Sequence, residues 1–410
     1  MFSLHRCRVR CLLALTLLCW AAVGHAQQRL TAQEAVELAW SQGHLQAELE
    51  AGVASARGEL VSARTWSNPT LSVDREELRD GPSQPGSETS VMLSQPFELG
   101  GRRGARIRAA EAGVTAAQAE AAHERVRLRG DVLRDYYAAA AAERRMQAQD
   151  KISAGLASLA DVAGKRHRAG DLSGYESRRI AQASAQSQAR RTQAAAEGRA
   201  ARIRLAGWVG DIALSAELDD AITLPVVSAD TDIRSAELDA LDARRVHAEA
   251  QAVAARHPAL PVTIGIGSKR IREGGITDDA LMLEVGLPLP IFDRNQGERA
   301  RTSAEAQRAD AKYQRALVQT RARRTAALQE AQQLSESARR MQAEMVPEAA
   351  RLTTIARSSF AEGELDLVGL LDAYDAEAGV IDQALEQQAR ALDALLELER
   401  MSPTTHTTHP

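Results

Sequence analysis

Two runs of helical character, from about Arg102 to His167 and from about Gln296 to Phe360, dominate the chain of 410 residues. At 1.5 Å per residue each would extend roughly 100 Å, which no compact domain of this size accommodates. The chain therefore reads as an assembly of rods, and the two or three globular domains that its length alone predicts are disfavoured. Composition agrees. Hydrophobic residues make up 44% but aromatics only 3%, and large rings normally supply much of the buried area of a compact core. Alanine takes their place, as at positions 138 to 142 and 194 to 196, so that each helix can approach neighbours on more than one side.

The apolar spacing predicts heptad seams. The C-terminal run steps by three and four through Leu367, Leu371, Tyr374, Ala378, Ile381, Leu385, Gln388, Leu392 and Leu395. The run before it steps likewise through Ala338, Met341, Met345, Glu348, Leu352 and Ile355.

The long runs belong to a pattern that occurs twice. The first half reads as a helix from Leu30 to about Trp66, strand-like patches at 69–75 and 89–98, the long run at 102–167 and a helix at 172–206. The second half reads as a helix ending near Arg256, patches at 261–270 and 280–288, the long run at 296–360 and a helix at 366–400. Pro69 and Pro258, Pro96 and Pro288, and Gly170 and Gly363 stand 189, 192 and 193 residues apart. Three landmarks in near register predict two structural repeats, 27–229 and 230–401, followed by a polar tail at 402–410.

Residues 1–26 read as an export signal: Arg6, Arg8 and Arg10 precede an apolar stretch from Cys11 to Val23, and Gly24-His25-Ala26 offers a cleavage site. That stretch is too short to span a membrane as a helix. Thr16-Leu17-Leu18 ahead of Cys19 lacks the small residues of a lipoprotein signal, so no lipid anchor is expected. Cys7, Cys11 and Cys19 are the chain's three cysteines, and all lie in this segment. Disulfides and thiol chemistry are thereby set aside. A formal charge of −4 excludes a basic nucleic-acid binder, and no later stretch is long and apolar enough for a spanning helix.

The patches alternate with period two. Leu281, Leu283, Val285 and Leu287 oppose Ala280, Met282, Glu284 and Gly286, while Val262, Ile264 and Ile266 oppose Thr263, Gly265 and Gly267. This suits a membrane β-barrel with a wet lumen, and equally a half-buried hairpin of a soluble domain. Four strands cannot close a barrel, because the smallest have about eight, so a membrane reading requires several chains.

With these features in view, Ser94-Gln95-Pro96-Phe97-Glu98-Leu99-Gly100-Gly101-Arg102-Arg103 and Gly286-Leu287-Pro288-Leu289-Pro290-Ile291-Phe292-Asp293-Arg294-Asn295 resemble the strand-to-helix junctions of the TolC-like outer-membrane efflux proteins, in their heavy-metal CzcC-type branch. The resemblance implies a mainly α fold with a small β part. Three chains would share a twelve-stranded barrel in the outer membrane of a Gram-negative bacterium, above a periplasmic coiled-coil tunnel. It further implies a homotrimer that works with a periplasmic adaptor (membrane fusion) protein and an inner-membrane resistance-nodulation-division pump driven by protons, exporting divalent heavy-metal cations. Pro96, Gly100, Gly101, Pro288 and Pro290 would form the junction between barrel and tunnel, the prolines ending ladder pairing and the glycines allowing the turn. Drugs, organic solutes or secreted protein are alternative cargoes. A soluble periplasmic coiled-coil scaffold or adaptor is the alternative of another class.

No HExxH, GxSxG or phosphate-loop pattern is present, so neither an enzyme nor a cofactor is expected. His406 and His409 in the tail form the nearest thing to a metal motif, and a frayed tail is the better reading. The two helix breaks carry the adaptor-docking candidates, Arg168, Gly170, Asp171, Leu172, Ser173, Gly363 and Leu365. Glycine there supplies a left-handed cap, and Asp171 or Ser173 can cap the next helix. Asp366, Asp372 and Asp375 are the candidate channel gate. Asp372 matches one of the aspartates that ring the tunnel entrance in the family, and its partner position three residues earlier holds Gly369. Three chains would set carboxylates around one axis, attracting cations and repelling each other.

Overall fold

The computed structural model of the protein describes residues 29–78, 86–219, 235–257, 260–273 and 275–401. The leader, the loop around Arg79 to Gln84 and the tail with His406 and His409 lie outside the described residues. In chain order the elements are β1 (Arg29–Leu30), α1 (Ala32–Ser41), α2 (His44–Arg64), β2 (Thr70–Leu78), β3 (Gly86–Leu99) and α3 (Arg102–Ala169). Next come α4 (Gly174–Val209), α5 (Ile212–Ser215), β4 (Glu217–Leu218), α6 (Ala236–Arg256), β5 (Leu260–Glu273) and β6 (Ile276–Gly286). The chain ends with α7 (Gln296–Arg340), a π-helical turn (Met341–Met345), α8 (Val346–Glu362) and α9 (Leu367–Arg400). The expected single helix from Leu30 to Trp66 is instead β1, α1 and α2. Thr31 caps α1 in a capping box with Glu34, and the chain turns through Gly43 at φ 77°.

Two compact units result. Among the described residues, one comprises 29–45, 128–219 and 326–399; the other comprises those within 46–127 and 235–325, with 400 and 401. Each draws on both halves of the sequence.

The first unit is helical and holds three apolar clusters. In the first, Tyr136 is fully buried beside Leu30, Val132, Leu205 and Leu392. Its hydroxyl donates to the Leu30 carbonyl at 2.6 Å and lies 3.1 Å from the Asp219 carbonyl. It thereby ties α3 to the parallel pair of β1 and β4. The second cluster joins Ile152 and Leu156 of α3, Ile180 of α4, Ala356 of α8 and Leu367, Leu370, Leu371 and Tyr374 of α9. The third packs Ala331 and Ala338 of α7 against Ala391 and Leu395 of α9.

On α9 the expected seam is the buried face: Leu367, Leu371, Tyr374, Ala378, Leu385, Leu392 and Leu395 are all buried. On α7 and α8 the seam departs from expectation. Ala338 and Met341 are buried, but Met345, Leu352 and Ile355 are exposed, and the buried face continues through Ala349, Thr353 and Ala356. Each buried position lies one residue beyond the expected one. The π turn at Met341–Met345 supplies the reason, since its wider hydrogen-bonded ring takes up an extra residue and rotates α8 relative to α7.

The second unit contains an antiparallel sheet of order β2-β3-β5-β6. Its strands run longer than the patches seen in sequence, except that β6 stops at Gly286. Pro96 does not end its ladder. It pairs with Thr263, and β3 continues against β5 as far as Leu99. On the other side the ladder with β2 ends at Ser94, so the proline falls where one neighbouring strand has already stopped, a position that tolerates a missing donor.

Candidate functional site: a bare sheet face and a helical tip

Register decides which side chains share a face of the sheet, because directly paired residues in antiparallel strands point the same way. Leu71 pairs with Leu93, Leu93 with Ile266 and Ile266 with Leu283. The flanking rows add Val73, Val91 and Leu281 on one side and Ile264 and Val285 on the other. This apolar face is open to its surroundings: Leu71 is 65%, Ile266 55% and Leu283 75% exposed. The opposite face is mixed: polar or small rows Thr70, Ser94, Gly265, Glu284 and Asp74, Ser90, Lys269, Ala280 flank the row Ser72, Met92, Gly267, Met282.

The apolar band has two kinds of border. Beyond Val73 and Leu281 the next row on the same face carries Arg75, Arg270 and Asp279, the last two paired at 2.7 Å. Beyond Leu93, Phe97 meets Trp66 edge to face at 6.2 Å, and the Arg103 guanidinium lies 4.5 Å from the Trp66 ring centre. Apolar residues between charged and aromatic borders are the pattern of a surface that faces lipid. At the junction, Gly100 and Gly101 turn at φ 76° and 74°. Pro288 and Pro290 lie in the connection after β6. The structure adds Asn295, at φ 61°, whose side-chain amide donates to the Ala255 carbonyl at 2.9 Å.

At the helical tip, Gly170 and Gly363 both adopt left-handed backbone, φ 88° and 82°. Asp171 N–H donates to the Arg166 carbonyl at 2.9 Å and Glu364 N–H to that of Ser359 at 2.8 Å, closing the two helix ends. Ser173 caps α4 in a capping box with Glu176, so Ser173, and not Asp171, is the cap. Arg168 is exposed, whereas Leu172 and Leu365 are half-buried against the second cluster. The exposed apolar residues of the tip are Tyr175 and Val368, each just inside the helix that follows its turn. Sequence pattern does not single out Val368, because it stands beside the seam position Leu367 and not on it.

The three candidate gate carboxylates have different surroundings. Asp366 accepts from the Gly369 N–H at 2.8 Å and serves as the N-terminal cap of α9. Asp375 pairs with Arg190 at 3.1 Å. Asp372 is exposed, with no ion pair among the described residues, on the wall of a groove of about 720 Å³ between α8 and α9. Met345, Leu352, Ile355, Gly369 and Val380 also line that groove. Burial pushes the phenols of Tyr136, Tyr137 and Tyr374 above the ordinary tyrosine range. Among the described residues, no three His, Cys, Asp or Glu side chains are placed to hold a metal ion. No helix among them is long and apolar enough to cross a membrane.

Comparison with known proteins agrees with this geometry. The profile named outer membrane efflux protein matches residues 26–211. The cobalt-zinc-cadmium resistance protein CzcC of Cupriavidus metallidurans is 25% identical over 344 residues, 78% of this chain and 77% of that one. The first half of the chain thus carries the outer membrane efflux protein signature, and the likeness to CzcC extends over most of its length. The nickel-cobalt-cadmium resistance protein NccC of Alcaligenes xylosoxydans is 37% identical over 95 residues, 22% of each chain. Among solved structures, the outer membrane protein VceC of Vibrio cholerae superposes with a TM-score of 0.73 at 19% identity, covering 90% of this chain and 94% of VceC. The CusC channel superposes at 0.71 with 14% identity, covering 90% of each chain. The fold is thus that of the outer-membrane proteins VceC and CusC, with α helices predominating and a few strands.

Proposed function

We propose that three copies of this efflux channel close a twelve-stranded barrel, and that the channel exports divalent heavy-metal cations together with a periplasmic adaptor and a proton-driven inner-membrane pump. The observation that carries the proposal is the open sheet with one bare apolar face. Its end strands β2 and β6 each have a free edge among the described residues, and an exposed edge invites another strand. Because the four strands alternate in direction, β6 of one copy meets β2 of the next antiparallel, and the pattern continues around a ring. Two copies would give eight strands, a number that side chains fill, whereas a conduit needs a wider ring.

In this reading the polar rows lead into a water-filled lumen, and Asp372 of three copies faces one axis as a gate. The turns at Gly170 and Gly363 meet the adaptor, with Arg168, Tyr175 and Val368 as the contact surface. The leader directs export and the two sequence halves arose by duplication. The cargo is inferred from the likeness to CzcC and NccC, whose names record resistance to cobalt, cadmium, and zinc or nickel. The test is growth of a strain lacking its own channel but supplied with the cognate pump and adaptor. This chain should restore tolerance to cobalt, zinc and cadmium. Restored tolerance to organic toxicants alone would instead assign it a drug or solute cargo.

A further inference from the structure

Tyr374 is 4% exposed among Ile152, Leu156, Leu370 and Leu371, and its hydroxyl has no hydrogen-bond partner among the described residues. A buried tyrosine normally finds one, as Tyr136 does. The ring reaches this site because residue 155 on α3 is glycine. A methyl group there would stand 2.7 Å from the Tyr374 hydroxyl oxygen and 3.2 Å from Cε1. Close approach of α9 to α3 at this level therefore depends on the missing side chain.

The same contact bears on the candidate gate. Asp372 precedes Tyr374 by two residues, so the two side chains leave α9 about 200° apart. One is packed against α3 and the other lines the groove beside α8. Holding the ring against Gly155 thus fixes the direction in which Asp372 faces. The hold is not at its strongest, since the hydroxyl has no hydrogen-bond partner among the described residues and gains one in water once α9 moves away.

We infer that Tyr374 and Gly155 form a latch between α9 and α3 that positions Asp372 in the shut channel, and that the orphaned hydroxyl keeps the latch releasable. Three Asp372 carboxylates about one axis repel each other, and the latch resists that push. Release parts α9 from α3 and opens the tip. The inference rests on the reading of the chain as a gated channel with Asp372 at its axis.

Opening of the full-length channel in planar bilayers tests it, with Tyr374→Phe, Gly155→Ala and the double variant. Tyr374→Phe keeps the ring and removes the orphan, so the ratio of open to shut time should fall by about tenfold, the weight of one buried unpaired hydroxyl. Gly155→Ala should raise the ratio by a similar factor, because the ring must withdraw. The double variant should lie between them, since the added methyl then meets only a ring edge. A purely structural role would change the unfolding temperature and leave the ratio unmoved. A Tyr374→Phe ratio at or above the unsubstituted channel, or a Gly155→Ala ratio at or below it, overturns the latch alone. Failure of the unsubstituted protein to conduct at all sinks the channel reading and the latch with it.

Discussion

Leu370 and Leu283 are the same residue in two opposite situations. Leu370 is completely buried in the helical tip cluster, and Leu283 is 75% exposed on the end strand β6, in the middle row of the sheet's apolar face. The tip cluster is packed within one chain, through α3, α4, α8 and α9. The sheet's apolar rows lie exposed among the described residues; in the proposed channel lipid covers them. A residue on the first surface contributes to folding, and one on the second contributes to where the folded protein resides.

Substitutions at the two positions should separate those roles. Leu370→Ala leaves a cavity in the tip cluster and should cost about 2–5 kcal/mol, measured as a lowered unfolding temperature of purified protein. Leu283→Arg should leave helix content in detergent unchanged but oppose insertion by about 2–4 kcal/mol, read as loss of protein from outer-membrane fractions. Equal effects of both on detergent stability would erase the distinction.

Tyr136→Phe comes next. It removes the hydroxyl that donates to the Leu30 carbonyl; that carbonyl keeps the Asp219 N–H at 3.1 Å, so the loss is one hydrogen bond, about 0.5–1.5 kcal/mol. Thermal unfolding should show it, together with earlier proteolysis near β1.

Alkaline pH should act on the same helical unit. Burial raises the phenols of Tyr136, Tyr137 and Tyr374 in the folded protein. The unfolded chain therefore releases those protons first, beginning near the ordinary tyrosine value of about 10. The stability they contribute is fully present below that pH and declines as pH rises beyond it. Absorbance titration of the phenols alongside unfolding curves checks the order. Titration of all five tyrosines at the free value would contradict it.

The smallest effects concern the two aspartates with structural partners. Asp366→Ala removes a helix cap and should cost about 1 kcal/mol. Asp375→Asn breaks an exposed pair with Arg190 and should cost less than about 1 kcal/mol. Neither should change cation selectivity in planar bilayers, whereas Asp372→Asn should weaken it.

Legibility in the sequence tracked the strength of the local signal. The α9 seam from Leu367 to Leu395 repeats often enough for its buried face to be read directly. The π turn was hidden, because Met341–Met345 lies in a run whose apolar spacing continues through it. Only burial at Ala349, Thr353 and Ala356 reveals the shift. The apolar face of β5 and β6 was visible as alternation, but the ends of β3 were not, since the polar stretch from Ser87 to Ser90 carries no such alternation. At the candidate site, Asp366, Asp372 and Asp375 share a chemistry, and their three-dimensional partners alone separate a cap, an ion pair and an unpaired carboxylate. The Tyr374 notch was equally out of reach, because Gly155 lies more than two hundred residues away from it.

The central claim is that the bare face of the sheet meets lipid. Single cysteines placed in turn at positions 280 to 285, in protein assembled in the outer membrane, test it most directly, because no described residue is a cysteine. Positions 281, 283 and 285 should react with a lipid-soluble maleimide and positions 280, 282 and 284 with a water-soluble one. Uniform protection of all six, or reactivity without alternation, would contradict the account.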